Sequence, residues 1–320
     1  MRNLTLRQIR YFDALARLGT FSAAADACAV TQPALSMQIK ELEESAGHAL
    51  LERSPRGIRL TAFGEMVHQR AQAMLAIVDD LDALARAAGR EPAGKLRLGV
   101  IPTIAPYLLP AVVTRLAQDF PDLSPILRES TTSRLMGELL DGRLDAAILA
   151  LPLSEPALTE IALFTERFVL IRPAEDAGKP VPNRDRLREM RLLLLEEGHC
   201  FRSQALSFCD MPTSQPRDML DGSSLSTLVQ MVGVGMGVTL IPEMAVPIET
   251  RSARVAVSRF RDPQPLRSIG MVWRKSSALE AQLMQISEVV RDCGLGLRDA
   301  SGLTSLPGWR RAPAPLPELP

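Results

Sequence analysis

The chain has 320 residues, of which 46% are apolar and 23% charged, and its 37 basic and 37 acidic side chains cancel. That length supports two or three compact units, and the composition is that of an ordinary globular protein. No apolar run reaches the roughly 18 residues of a spanning helix, and the LLLL at 192–195 is far too short. The charged opening MRNLTLRQIR lacks the apolar stretch of a secretory leader, so a cytoplasmic protein with no membrane association is expected.

Three short helices open the chain. Leu6, Ile9, Phe12 and Leu15 recur at helical spacing up to a break at Gly19. An Ala-rich helix follows from about Ser22, its small side chains suited to close packing. In TQPALSMQIKELEESAG, Thr31 is a candidate N-cap, Pro33 sits in the first turn and Gly47 ends the helix. LLERSPRGIRLTAFG then reads as strand, tight turn at 54–57 and strand. The outline is an all-α winged helix-turn-helix over residues 1–64. Eight basic side chains against six acidic ones in that span give weak electrostatic support for DNA binding.

A long helix at 65–90 carries the most regular pattern in the chain. Val67, Ala71, Met74, Val78, Leu81 and Ala85 alternate in steps of four and three. Such a seam is longer than one small domain can bury, so a partner helix and a homodimer or homotetramer are expected. From Lys95 strands alternate with helices, which implies an α/β domain over 95–300 built on a parallel sheet. Ligands of such sheets bind beyond the carboxyl ends of strands, where Thr103 and Thr132 lie. The Pro-rich segment 301–320 reads as a disordered tail.

A recognition helix needs short polar groups at base edges from its first turns and basic groups near phosphates. Thr31, Gln32, Pro33, Ser36, Gln38 and Lys40 fill the exposed face of the third helix, and Arg53 and Arg56 fill the wing. Singly, each polar residue could be a solvated helix face, so the pattern carries the argument. One unit contacts few base pairs, and dimerisation would supply a second half-site on double-stranded promoter DNA.

Residues 21–64, with the run AADACAVTQPALSMQIKELE followed by LER, resemble the DNA-binding domain of LysR-type transcriptional regulators. The resemblance extends to about residue 300. It implies a linker helix and a periplasmic-binding-protein-like regulatory domain of two subdomains, about 95–167 with 270–300 and about 168–269. RNA polymerase is then an expected partner. Within the family, GHCFRSQALSFC, IPTIAPYLLP and GVTLIPEMAVP resemble the peroxide-responsive subgroup. That narrower resemblance implies a signal of hydrogen peroxide, a reversible disulfide between Cys200 and Cys209, and a peroxide pocket of Thr103, Thr132, Gly198 and His199. One departure stands out: Val229 occupies a position where several relatives carry an arginine.

The chemistry of these residues is consistent with that reading. Peroxide reacts with a thiolate, and the resulting sulfenic acid needs a second thiol. Cys200 lies at a strand-to-helix junction, where a helix N-terminus and Arg202 favour an anionic sulfur. If the segment to Cys209 is helical, the two α-carbons are about 13 Å apart, whereas a disulfide needs less than about 7 Å. Oxidation then requires refolding. An alternative is a LysR-type regulator gated by a small-molecule inducer, with structural cysteines. Cys28 and Cys293 read as inert packed thiols. With four cysteines, three histidines, no CxxC and no nucleotide-binding or catalytic motif, no metal, no cofactor and no enzymatic turnover is expected.

Overall fold

The computed structural model describes residues 4–54, 57–87, 91–209 and 221–300. They divide into two compact units, with the break between Ala85 and Arg86. The expected tail at 301–320 and the wing residue Arg56 lie outside the described residues.

The first unit contains α1 (Leu6–Leu18), α2 (Phe21–Ala27), α3 (Gln32–Ala46), β1 (Leu51–Ser54), β2 (Gly57–Leu60) and α4 (Ala62–Ala87). Thr5 opens α1 through a reciprocal capping box with Gln8, and Gly19 ends it in the left-handed region at φ 71°. Ile9, Phe12 and Leu15 of α1, Ala24 and Ala25 of α2, and Leu35, Ile39 and Leu42 of α3 form one buried core. The alanines of α2 let its backbone approach its neighbours closely. Strands β1 and β2 pair antiparallel, with Ser54 opposite Gly57, and form the wing.

The seam along α4 is only partly free. Ala71 is buried in the core of the first unit and Val67 packs against it. The expectation of one uninterrupted dimerisation stripe is therefore corrected at these two positions. The reason is local, because the first turns of α4 cover the end of the helix-turn-helix core. Further along, Met74 and Leu81 are 41% and 61% exposed, as is Ile77 at 63%.

The second unit begins with β3 (Gly94–Val100), α5 (Ala105–Asp119), β4 (Leu123–Glu129), α6 (Thr132–Leu140), β5 (Ala146–Leu151) and the long β6 (Leu158–Pro173). It continues through α7 (Arg184–Glu189), β7 (Leu194–Leu195), α8 (Cys200–Phe208), β8 (Asp221–Gly222), α9 (Leu225–Gly233), β9 (Thr239–Pro242), α10 (Val246–Glu249), β10 (Val255–Ser258), β11 (Leu266–Arg274) and α11 (Glu280–Ala300). The main sheet runs β10-β6-β11-β5-β3-β4, with β9 also paired to β6. It is mixed, not parallel as the alternation suggested. β3 pairs parallel with β4 and β5, but β11 lies antiparallel between β5 and β6. The chain returns from its second half through β11, and no local pattern encodes where a strand about a hundred residues later inserts.

Strand β6 changes partners along its length. Leu158–Arg167 pair with β11, and from Phe168 onward the strand pairs with β9 and β10. The apolar run at 192–195 supplies only a short strand. Only Leu194 and Leu195 form a ladder, against β8, while Leu192 makes a single bridge to Val238. This short parallel pair delivers the chain directly to the N-terminus of α8.

Candidate functional site

In the first unit, α3 presents the expected polar face. Leu35, Ile39 and Leu42 point into the core, leaving Thr31, Gln32, Pro33 and Lys40 exposed and Ser36 half-buried. Thr31 is the backbone N-cap, but its side chain makes no capping hydrogen bond. Gln38 donates to Glu41 at 2.8 Å, and Lys40 faces Glu44 at 3.7 Å with both side chains largely solvated. An exposed pair of this kind is weak and gives way to phosphate at little cost. The backbone of Arg53 lies in β1, and its side chain is outside the described residues.

The second unit brings four of the five predicted peroxide-site residues together. Thr103, Thr132, His199 and Cys200 line one narrow crevice, with Ile101, Pro102, Thr131 and Phe201. Thr103 comes from the loop after β3, Thr132 starts α6, and His199 and Cys200 are the N-cap and first residue of α8. Gly198 plays a different part. It is outside the lining and adopts φ 96°, in the left-handed region. It makes the turn that swings His199 and Cys200 into place.

The polar groups of the crevice differ in how they are held. Thr103 is almost fully buried, and its Oγ1 accepts from Arg267 Nη1 at 2.8 Å while its carbonyl accepts from Arg267 Nη2 at 3.1 Å. Arg267 is in turn paired with Glu166 at 2.7 Å, and Glu166 also accepts from the Met244 amide. Thr132 Oγ1 is buried with no hydrogen-bond partner. His199 is 9% exposed. Burial pushes its pKa below the usual imidazole value, against the opposing pull of Glu196 and Glu129, so the ring is neutral at physiological pH. A neutral imidazole still offers one donor and one acceptor.

Cys200 and Cys209 are both free thiols, the first half-buried and the second fully buried. They stand at opposite ends of α8, with Cys209 as its C-cap. Helical rise over nine residues separates their α-carbons by about 13 Å, and a disulfide spans less than about 7 Å. The helical condition posed from the sequence is met in this structure. Burial pushes the Cys209 thiol up to about 11, despite the opposing influence of Arg184 and Arg188. The C-terminal end of α8 is held by Arg188 Nε, which donates to the Cys209 carbonyl at 2.9 Å. Phe208 packs edge-on against Phe260 at 4.9 Å, with the Arg184 guanidinium 4.9 Å from its ring centroid. Arg202 donates to the Leu195 carbonyl at 3.0 Å.

Sequence reasoning missed Arg267 and Glu166. The only signal was a charge within a predicted strand, and it was weak, because LRSIGMVWR and LTEIALFTERFVLIRP each carry further charges such as Arg274, Glu160 and Arg167. Val229 is fully buried on α9 and is not among the described lining of the crevice. Arg267 is outside the lining as well, and holds Thr103 from behind the crevice wall. Cys28 and Cys293 are half-buried, and burial raises the pKa of both. Among the described residues no group of His, Cys, Asp or Glu could hold a metal ion, and no helix is long and apolar enough to cross a membrane.

A winged helix-turn-helix joined to an α/β unit with a crevice at the ends of its strands is the architecture of a ligand- or signal-responsive DNA-binding regulator. Residues 6–65 match the bacterial regulatory helix-turn-helix of the lysR family, and residues 89–292 match the LysR substrate binding domain. The chain belongs to the LysR family of transcriptional regulators, and it is not an enzyme. A probable hydrogen peroxide-inducible genes activator of Streptomyces viridosporus is 42% identical over 295 residues, covering 91% of this chain and 95% of the relative. A solved full-length OxyR from Pseudomonas aeruginosa, with one cysteine changed to aspartate, is 34% identical at a TM-score of 0.71. It covers 90% of this chain and 98% of that one. A cysteine-to-serine variant of Corynebacterium glutamicum OxyR with hydrogen peroxide bound is 31% identical, with a TM-score of 0.66 and coverage of 98% and 99%.

Proposed function

We propose that this LysR-type regulator is switched by hydrogen peroxide through Cys200 and Cys209. The observation that carries the reading is the placement of Cys200 in a polar crevice with Thr103, Thr132 and His199, one helix length from a buried second thiol. The relatives named as peroxide-inducible activators, and the OxyR structure holding peroxide, support it.

The chemistry uses two thiols and one peroxide. The Cys200 thiolate attacks one peroxide oxygen, the O–O bond breaks, and the departing hydroxide takes a proton to leave as water. The sulfenic acid on Cys200 is then attacked by the Cys209 sulfur, forming S–S, breaking S–O and releasing a second water. The hydroxyls of Thr103 and Thr132 and the neutral His199 ring are placed to hydrogen-bond peroxide and the departing oxygen. Because α8 keeps the sulfurs apart, closing the disulfide unwinds it and changes the surface around residues 200–209.

The output is promoter binding. Thr31, Gln32, Pro33, Ser36, Gln38, Lys40, Arg53 and Arg56 form the DNA-reading set, and the exposed length of α4 joins two or four copies. RNA polymerase is the downstream partner, and the cytoplasm is the compartment. The unit limits follow: winged helix 1–64, linker helix 65–90, and sensor 95–300 in two subdomains that meet near Arg167.

Peroxide titration of the reduced protein, with mass mapping of thiols and footprinting on its own promoter, tests the reading. The expected result is a Cys200–Cys209 disulfide and an altered footprint, both absent in Cys200→Ser. A Cys200→Ser protein that still changes its footprint with peroxide would sink the proposal and favour gating by a small-molecule inducer.

A further inference from the structure

A second cavity of this unit is separate from the Cys200 crevice and shares no lining residue with it. It encloses about 1020 Å³, and its described lining falls wholly between Arg172 and Pro263. Five cationic side chains line it against three carboxylates, and one of those three, Asp176, is already paired with Lys179. Arg172 contributes to the wall from the end of β6 and is only 5% exposed. Its Nη1 and Nη2 donate to the carbonyls of Pro180 and Lys179 at 3.2 and 2.7 Å. Its Nε is buried without any partner. No described carboxylate pairs with it, so its charge is sheltered from water without a counter-ion, an arrangement that costs stability.

The same cavity touches the redox helix. Phe208, the last residue of α8, and Phe260, against which its ring packs, are both wall residues, as is Arg184 over the Phe208 ring. Whatever fills the cavity therefore contacts the groups that fix the C-terminal end of α8.

We propose that this cavity is a regulatory site for a small polyvalent anion, a metabolite bearing several carboxylates or phosphates. Its charge neutralises Arg172 and the cationic lining, and its body rests on Phe208 and Phe260. The anion binds the helical form of α8 more tightly than the unwound form, so it holds the regulator reduced and raises the peroxide needed for oxidation. This effect on oxidation rests on the peroxide reading above, whereas the binding itself does not.

The test uses reduced full-length protein, titrated calorimetrically with citrate and with inorganic pyrophosphate at constant ionic strength, with glucose as the neutral control. The expected result is saturable binding of at least one anion and none of glucose. Arg172→Gln should weaken it at least tenfold. Because that buried substitution can impair folding, the exposed pair Arg186→Glu and Arg261→Glu provides a second variant with the same expected loss. In the wild type, the bound anion should slow Cys200–Cys209 disulfide formation at least threefold, with no slowing in the double variant. No anion binding by the wild type, or undiminished binding by the double variant, overturns the site. Binding that leaves the oxidation rate unchanged overturns the coupling. If the anion binds but peroxide never forms the disulfide in the ligand-free protein, the peroxide reading falls and the anion site stands.

Discussion

Cys209 has no exposed surface, whereas Cys200, nine residues earlier, is part of a crevice wall. With its pKa pushed up to about 11 by burial, Cys209 is a neutral thiol at physiological pH and a poor nucleophile while α8 is folded. On the proposed peroxide reading, this asymmetry gives the order of events: Cys200 reacts first and Cys209 becomes competent only once unwinding exposes it. The same burial has a consequence for stability. The folded state holds the Cys209 proton more tightly than the unfolded chain, whose thiol has the ordinary value of 9.0. The contribution is thus complete below pH 9.0 and is lost as pH rises toward 11. A difference of about two pH units corresponds to about 3 kcal/mol. The folded-state thiol is only half titrated at pH 11, so denaturant unfolding of the reduced protein at pH 8 and pH 11 should show the wild type losing about 2 kcal/mol more than Cys209→Ala. Parallel losses in the two proteins would show that the thiol is not buried as described.

Helix α8 is short enough to be bistable. A nine-residue helix is marginal on its own, and α8 has neither a side-chain N-cap bond nor an acidic residue in its first turn. It is held from outside, by burial of Phe201, Ala205 and Leu206 and by the Arg188 bond to the Cys209 carbonyl. Removing that bond in Arg188→Met should cost the helical form about 1 kcal/mol and speed disulfide closure about fivefold. Sulfenic acid formation at the other end of the helix should keep its rate. Rapid-quench trapping of both steps measures this, and equal acceleration of both, or none, would count against an end-specific restraint. The helix itself was legible from the sequence, because Ala205, Leu206 and Phe208 mark its turns between the two cysteines. Its restraints were not, since Arg184, Arg188 and Phe260 arrive from elements distant in the chain. For the same reason Thr103, Thr132, His199 and Cys200 could be grouped only through family resemblance. Arg267, 164 residues from Thr103, had no route into that group, because its strand also carries Arg274 and local sequence does not say which charge is buried.

At the scale of the whole molecule, sequence periodicity was most informative where structure is local and least where it is shared. The boundaries of α1 and the inward face of α3 follow from helical spacing alone. The insertion of β11 between β5 and β6 depends on long-range pairing that no window of sequence contains. The α4 stripe lies between these cases. Its period was readable, but the point at which it stops serving its own unit depends on how far the helix-turn-helix core extends, which is Ala71. Beyond that point Met74, Ile77 and Leu81 are large apolar side chains at 41%, 63% and 61% exposure. A contiguous apolar stripe of this kind on a long helix supports the proposal that α4 joins copies of the chain. Leu81→Arg places a charge in the seam without touching the buried core of the winged helix. Light scattering should then show a shift to monomer, with helix content by circular dichroism unchanged. Affinity for a promoter fragment with two half-sites should fall toward that for a single half-site, because the second contact is no longer intramolecular. A Leu81→Arg protein that keeps the wild-type mass and two-site affinity would show that assembly uses a surface other than α4.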